Sequence, residues 1–70
     1  MTTWLKYNEA ANHTGWSVRY LRNLVSADQI PVYGPKGSRR FRLDMLNLFV
    51  TNREVAMRKF RLERKMHYGD

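Results

Sequence analysis

Ile30-Pro31-Val32-Tyr33-Gly34-Pro35-Lys36-Gly37-Ser38-Arg39-Arg40-Phe41-Arg42-Leu43-Asp44 is the most informative stretch of the chain. Ile30-Pro31-Val32-Tyr33 reads as a short strand, and Pro31, with no amide hydrogen to give a ladder, confines it to an edge or a strand start. Gly34-Pro35-Lys36-Gly37-Ser38 is turn chemistry, with proline at the second turn position and glycine at the fourth. Arg39-Arg40-Phe41-Arg42-Leu43 then alternates, so Phe41 and Leu43 can face a core while Arg40 and Arg42 face solvent. Together these segments predict a β-hairpin with cationic edges.

Upstream lie two short helices. The first runs from about Lys6 or Asn8 to His13. Asn8 is a good N-cap, while Glu9, three residues after Lys6, suits the earlier start. Gly15 breaks the pattern, and Ser17 is a natural N-cap for a second helix from Val18 to about Ser26. Val18, Leu21, Leu24 and Val25 recur at spacings of three and four, which gives one buried stripe. Two helices joined by a tight glycine-containing turn make a helix-turn-helix pattern. A cationic hairpin placed straight after it is a wing. The fold class expected is α+β, mostly helical: a winged helix-turn-helix with a two-stranded β-hairpin wing and an extra C-terminal helix.

Downstream, Asp44 is placed to cap a third helix bearing Met45, Leu46, Leu48, Phe49 and Val50, which closes the core. Thr51-Asn52-Arg53-Glu54 fits a capping box, with Val50 and Val55 as its hydrophobic staple. This predicts a break near Thr51 and a separate fourth helix to about Met66; one continuous helix from Asp44 is the alternative left open. Val55, Ala56, Met57, Phe60 and Leu62 are interleaved with Arg58, Lys59, Arg61, Arg64 and Lys65, and Glu54 precedes Arg58 by four residues, the favourable order for a helical pair. The chain therefore divides into a winged helix-turn-helix over residues 1–52 and a basic C-terminal helix and tail over 53–70.

The formal net charge is +7, and it is unevenly placed. Residues 1–35 hold three basic side chains against two acidic ones, and residues 36–70 hold ten against four. Nine of the thirteen cations are arginine, whose planar fork suits phosphate and guanine better than an ammonium does. A basic domain of this size points to a polyanion, of which nucleic acid is the commonest; the competing reading is a solvated cationic surface. With no cysteine a disulfide framework is excluded. Two isolated histidines at no metal-ligand spacing predict no metal centre. His13 reads as a half-buried packing residue, and Trp4 and Trp16 as core. Ser17 and Ser38 lack the histidine and acid of a nucleophile, and residues 34–38 lack Walker spacing, so neither catalysis nor a cofactor is expected. The opening residues carry no signal-peptide pattern and no apolar run is long enough to span a bilayer, which predicts a soluble intracellular protein without a membrane partner.

The candidate site is built from two segments. Arg19, Tyr20, Arg22 and Asn23 lie on the polar face of the second helix, with Ser17 at its head. Arginine can grip guanine, asparagine can grip adenine, and a tyrosine hydroxyl can reach phosphate. Lys36, Gly37, Ser38, Arg39 and Arg40 form the hairpin tip, narrow enough to lie along a minor groove or its phosphates. The competing readings are a solvated helix face and charges that protect a sheet edge.

Leu5 to Val50 resembles the excisionase-type DNA-binding domains of phages and mobile elements, related to MerR-like winged helices. The matching elements are Glu9-Ala10-Ala11, Thr14-Gly15-Trp16-Ser17-Val18-Arg19-Tyr20-Leu21-Arg22, Ile30-Pro31-Val32-Tyr33, Arg39-Arg40-Phe41-Arg42-Leu43-Asp44, Leu46 and Phe49-Val50. Lys6 stands where the family commonly has a threonine cap, and His13 and Thr14 replace aliphatic residues. The resemblance implies a helix in the major groove of double-stranded DNA over Ser17 to Asn23 and a wing in the minor groove over Lys36 to Arg40. It also implies cooperative binding and bending of attachment-site DNA, a site-specific integrase as partner, and a place in the bacterial cytoplasm, associated with the nucleoid. The apolar face around Ala56, Met57 and Phe60 can dock on the domain's own core or on a neighbouring copy, and the cooperative assembly that the resemblance implies favours the neighbour. Same-fold alternatives are a small repressor and a terminase small subunit; a basic membrane-surface or protein-interaction module is the alternative from another class.

Overall fold

The computed structural model describes the backbone of residues 2–68 and the side chains of residues 2–64. The order is β1 (Trp4–Leu5), α1 (Tyr7–Thr14), α2 (Val18–Ser26), β2 (Phe41–Arg42), α3 (Leu43–Thr51) and α4 (Arg53–Tyr68). Among the described residues the architecture is α+β and mostly helical, four helices with one two-stranded antiparallel sheet.

Local chemistry sets the helix ends. Glu9 accepts the Lys6 amide at 2.8 Å, so α1 opens at Tyr7 and Asn8 is not its cap. Gly15 closes it at φ +81° and donates its amide to Ala11 at 2.8 Å, the left-handed stop that glycine adopts at least cost. Ser17 Oγ accepts the Tyr20 amide at 3.0 Å and starts α2, whose buried stripe is Leu21 and Leu24.

The strands differ from the expected hairpin. Residues 30–33 form no strand; Tyr33 and Arg40 make one isolated bridge with hydrogen bonds of 2.8 and 2.7 Å. An antiparallel ladder alternates bonded and non-bonded pairs, so the next bonded pair would set Pro31 opposite Arg42, and Pro31 has no amide hydrogen. Ile30 and Pro31 turn into the core instead. The segment Phe41–Arg42 takes Trp4–Leu5 as its partner, in the register Trp4 with Arg42 and Leu5 with Phe41. The hydrogen-bonded turn runs from Pro35 to Ser38 at 2.9 Å, one residue later than expected. Gly37 thereby sits at its third position with φ +92°, where a positive φ is required.

Asp44 does not cap α3. The helix opens one residue earlier, at Leu43, with Arg42 in the cap position. Asp44 therefore falls in the first turn, where its Oδ1 accepts the Met45 amide at 2.9 Å and both its oxygens are held by the Arg42 guanidinium at 2.8 Å. Leu43 is half-buried rather than a core residue. The break between α3 and α4 falls at Asn52, whose Oδ1 accepts the Val55 amide at 3.3 Å. Thr51 spends its hydroxyl on the α3 carbonyls of Asn47 and Leu48.

One core joins all of this: Ala10, Leu21, Leu24, Ile30, Phe41, Met45, Leu46, Phe49, Ala56, Met57 and Phe60. Phe41 is fully buried, edge-on to Tyr7 at 5.3 Å. Ala56, Met57 and Phe60 pack into their own chain's core, so residues on both sides of the helix break at 52/53 share one buried cluster. Trp16 packs edge-on against Phe49, but Trp4 is 48% exposed. His13 is exposed too, hydrogen-bonded through Nε2 to Asn47 at 2.6 Å.

Candidate nucleic-acid interface

The buried stripe of α2 leaves Arg19, Tyr20, Arg22, Asn23 and Ser26 exposed. Helical spacing sets Arg19 at the middle of that face, Arg22 and Ser26 on one flank, and Tyr20 and Asn23 on the other. The Arg22 flank looks across a cleft of about 830 Å³ towards the 34–39 loop. Lys6 and Asn8 from the start of α1, Val18, Arg22, Val25 and Ser26 from α2, and Lys36, Gly37, Arg39 and Arg40 line it. Five of these side chains are cationic and none is acidic.

Within the cleft the Arg22 guanidinium lies over the Tyr7 ring, 5.3 Å from its centre. Arg39 donates to the Gly34 carbonyl at 3.3 Å and Arg40 to the Arg39 carbonyl at 2.9 Å; both are half-buried, while Lys36 and Gly37 are exposed at the tip. These bonds use part of each arginine fork and leave the charge unpaired. All five carboxylates among the described residues have partners, and none of those partners is the side chain of a cleft cation. Glu9 holds the Lys6 amide, Asp28 pairs with Arg64, Asp44 with Arg42, Glu54 with Arg58, and Glu63 takes Tyr33 and Arg42. The cleft cations and Arg19 therefore have no acidic partner among the described residues, an arrangement that attracts anions.

The expected residues are not all brought together. Arg22, Lys36, Gly37, Arg39 and Arg40 meet in the cleft, and Arg19 stands at the centre of the face beside it. Ser17 gives its hydroxyl to the α2 cap, and Ser38 closes the turn through its amide. Tyr20 leans away from the cleft, edge-on to Trp16, and its hydroxyl accepts from Arg53 Nη2 at 3.2 Å. Asn23 shares that far flank. Lys6 and Asn8 are cleft residues that the sequence does not single out; helix-cap signals mark them, and nothing in local spacing ties them to a loop thirty residues on. Arg42, expected on the solvent face, is held at the base of the loop with a side chain 27% exposed.

Perturbed ionisation gathers at that base, outside the cleft. The Arg42 hydrogen bonds pull the Asp44 carboxyl down to about 2, and the same bonds push the Arg42 guanidinium up. Burial, and then the hydrogen bond to Glu63, push the Tyr33 hydroxyl well above its ordinary value. No group of three or more His, Cys, Asp or Glu among the described residues could hold a metal ion. Nor is any described helix long and apolar enough to cross a membrane. No known protein family, curated protein or solved structure matches the chain.

Proposed function

We propose that this chain is a winged helix-turn-helix protein that binds double-stranded DNA without catalysis. In this reading α2 enters the major groove with Arg19 and Arg22 at the bases, and the 34–39 loop is a wing along the neighbouring phosphates. More particularly, on the residues that resemble that family, it is an excisionase, which binds attachment-site DNA in the bacterial cytoplasm, bends it, and directs an integrase towards excision. The carboxylate-free cleft that joins α2 to the loop is the observation that carries the DNA-binding reading. A membrane-surface role fits less well, because Ala56, Met57 and Phe60 of α4 are already in the core and only Leu62 among its large apolar side chains is exposed among the described residues. Assembly of several copies on DNA would for the same reason need a surface other than Ala56, Met57 and Phe60.

Fluorescence anisotropy of labelled duplexes across a salt series tests the reading. Arg22→Ala should cost about 1–3 kcal/mol and relax preference at one base pair. Lys36→Ala should weaken all sequences alike and flatten the slope of log K against log salt by about one unit. If neither variant changes affinity for any duplex, the cleft is not the interface. Among roles on the same fold, excisionase requires binding at an attachment site and a changed outcome of integrase recombination there; a repressor or terminase small subunit would give neither.

A further inference from the structure

The loop bearing Lys36, Arg39 and Arg40 is closed by a single backbone pair, Tyr33 with Arg40. One bridge is a weak anchor, and the side chains at the loop's base are fastened to α4 instead. The Tyr33 ring stands edge-on to Phe60 of α4 and to Trp4 of β1, each at 5.3 Å. Its hydroxyl donates to Glu63 Oε1 at 2.8 Å. The other Glu63 oxygen accepts from Arg42 Nη1 at 3.2 Å, and the Arg42 guanidinium sits 5.9 Å from the centre of the Tyr33 ring. One carboxylate on α4 thus holds the chain where it enters the loop and just after it leaves. Glu63 is not among the residues that line the cleft.

We propose that Glu63 is a positioning residue for the cationic loop: through Tyr33 and Arg42 it holds Lys36, Arg39 and Arg40 across from Arg22. This rests on the DNA-binding reading of the cleft. A loop free to swing must be ordered each time its cations meet phosphate, and that ordering subtracts from affinity. A loop braced from behind has lost the freedom already. Charge alone says the opposite of Glu63: it is an anion in a protein for a polyanion, so removing it should tighten binding.

The two accounts differ in sign, which makes the test direct. In duplex titrations run well below each variant's melting temperature, Glu63→Ala should weaken binding about tenfold and make the salt slope shallower by about one to two units. Tyr33→Phe, which leaves the net charge unchanged, should move both in the same direction. Glu63→Gln keeps an oxygen for the Tyr33 hydroxyl and should recover part of the loss. In a Lys36→Ala/Arg39→Ala/Arg40→Ala background Glu63→Ala should add nothing, since the cations it positions are gone. Tighter binding by Glu63→Ala, or losses that add in that background, would overturn the proposal. Amide hydrogen exchange at Tyr33 and Arg40, read without DNA, should speed up in Glu63→Ala, and unchanged exchange would overturn the brace. A parent chain that binds no duplex would sink the DNA-binding reading, while the exchange measurement would still judge the brace on its own.

Discussion

Arg42 answers to two carboxylates at once, Asp44 through a two-pronged pair and Glu63 across the fold. This makes the base of the loop a pH-sensitive part of the molecule. Asp44 stays ionised in the fold down to about pH 2, whereas an unfolded aspartate protonates near its ordinary 3.8. Its contribution to stability is therefore complete above about pH 4 and lost as pH falls towards 2. Tyr33 has the opposite sign: its hydroxyl is raised above the ordinary 10.0, so its contribution is complete below about pH 10 and lost as pH rises beyond it. Thermal melts across pH should show a plateau with both shoulders. Asp44→Asn should melt below the parent at pH 7 and converge with it near pH 2, and Tyr33→Phe should flatten the alkaline shoulder. An acid shoulder unchanged in Asp44→Asn would mean that the Arg42 pair contributes nothing. Sequence reasoning reaches one end of this cluster only. An aspartate at the head of an apolar run is an ordinary cap signal, and local spacing does not show that it also pairs with a guanidinium two residues away whose other partner lies far along the chain.

At the scale of elements, legibility tracks how local each decision is. The second helix is readable to the residue because Ser17 caps it and its stripe repeats within nine residues. Gly15 and the α3–α4 break are local decisions as well. The pairing of β2 with β1 is not, since a two-residue strand at Trp4–Leu5 carries no periodicity of its own and lies on the edge of β2 opposite Tyr33. The loop repeats the lesson through its glycines. Gly34 and Gly37 share a φ of +92°, yet they differ in what surrounds them. A Cβ on Gly37 meets nothing within 4 Å, whereas a Cβ on Gly34 would stand 2.6 Å from the Ser38 carbonyl oxygen. Gly37→Ala should thus carry only the left-handed strain, about 1–2 kcal/mol. Gly34→Ala should add a backbone displacement that opens the loop, giving a larger drop in melting midpoint and the greater loss of duplex affinity. Equal effects at the two positions would mean that the 34–38 approach is not tight in solution.

For the molecule as a whole, the question is whether residues 1–52 are a domain. The sequence suggests that they are, because helix, turn, helix, hairpin and a closing helix account for a core without the tail. What it does not display is where the Ala56, Met57 and Phe60 face goes, since an apolar face of that size suits a neighbour as well as its own chain. The fold supplies the destination: Phe60 lies against Tyr33, Arg64 reaches Asp28 at the end of α2, and the radius of gyration is 11.6 Å, close to the value of about 11 Å for one domain of this length. Removing α4 would strip three buried side chains from the core and expose what they cover. Burial of Met57 and Phe60 alone is worth about 3–6 kcal/mol at about 1.5–3 kcal/mol each. A chain of this length has a total stability of only about 4–10 kcal/mol, so the loss takes most of the margin before the Tyr33–Glu63 and Asp28–Arg64 ties are counted. The fragment 1–52 should accordingly be largely unfolded at 25 °C, with little helical circular dichroism and poorly dispersed amide resonances, while the full chain melts in one cooperative step. Arg58→Ala on the outer face, paired with Glu54, should leave that melt nearly unchanged, because exposed helical pairs are worth about 0.3–0.5 kcal/mol. A fragment 1–52 that melts as sharply as the full chain would show that the core closes without α4, and would return the Ala56, Met57 and Phe60 face to the role of an interface between copies.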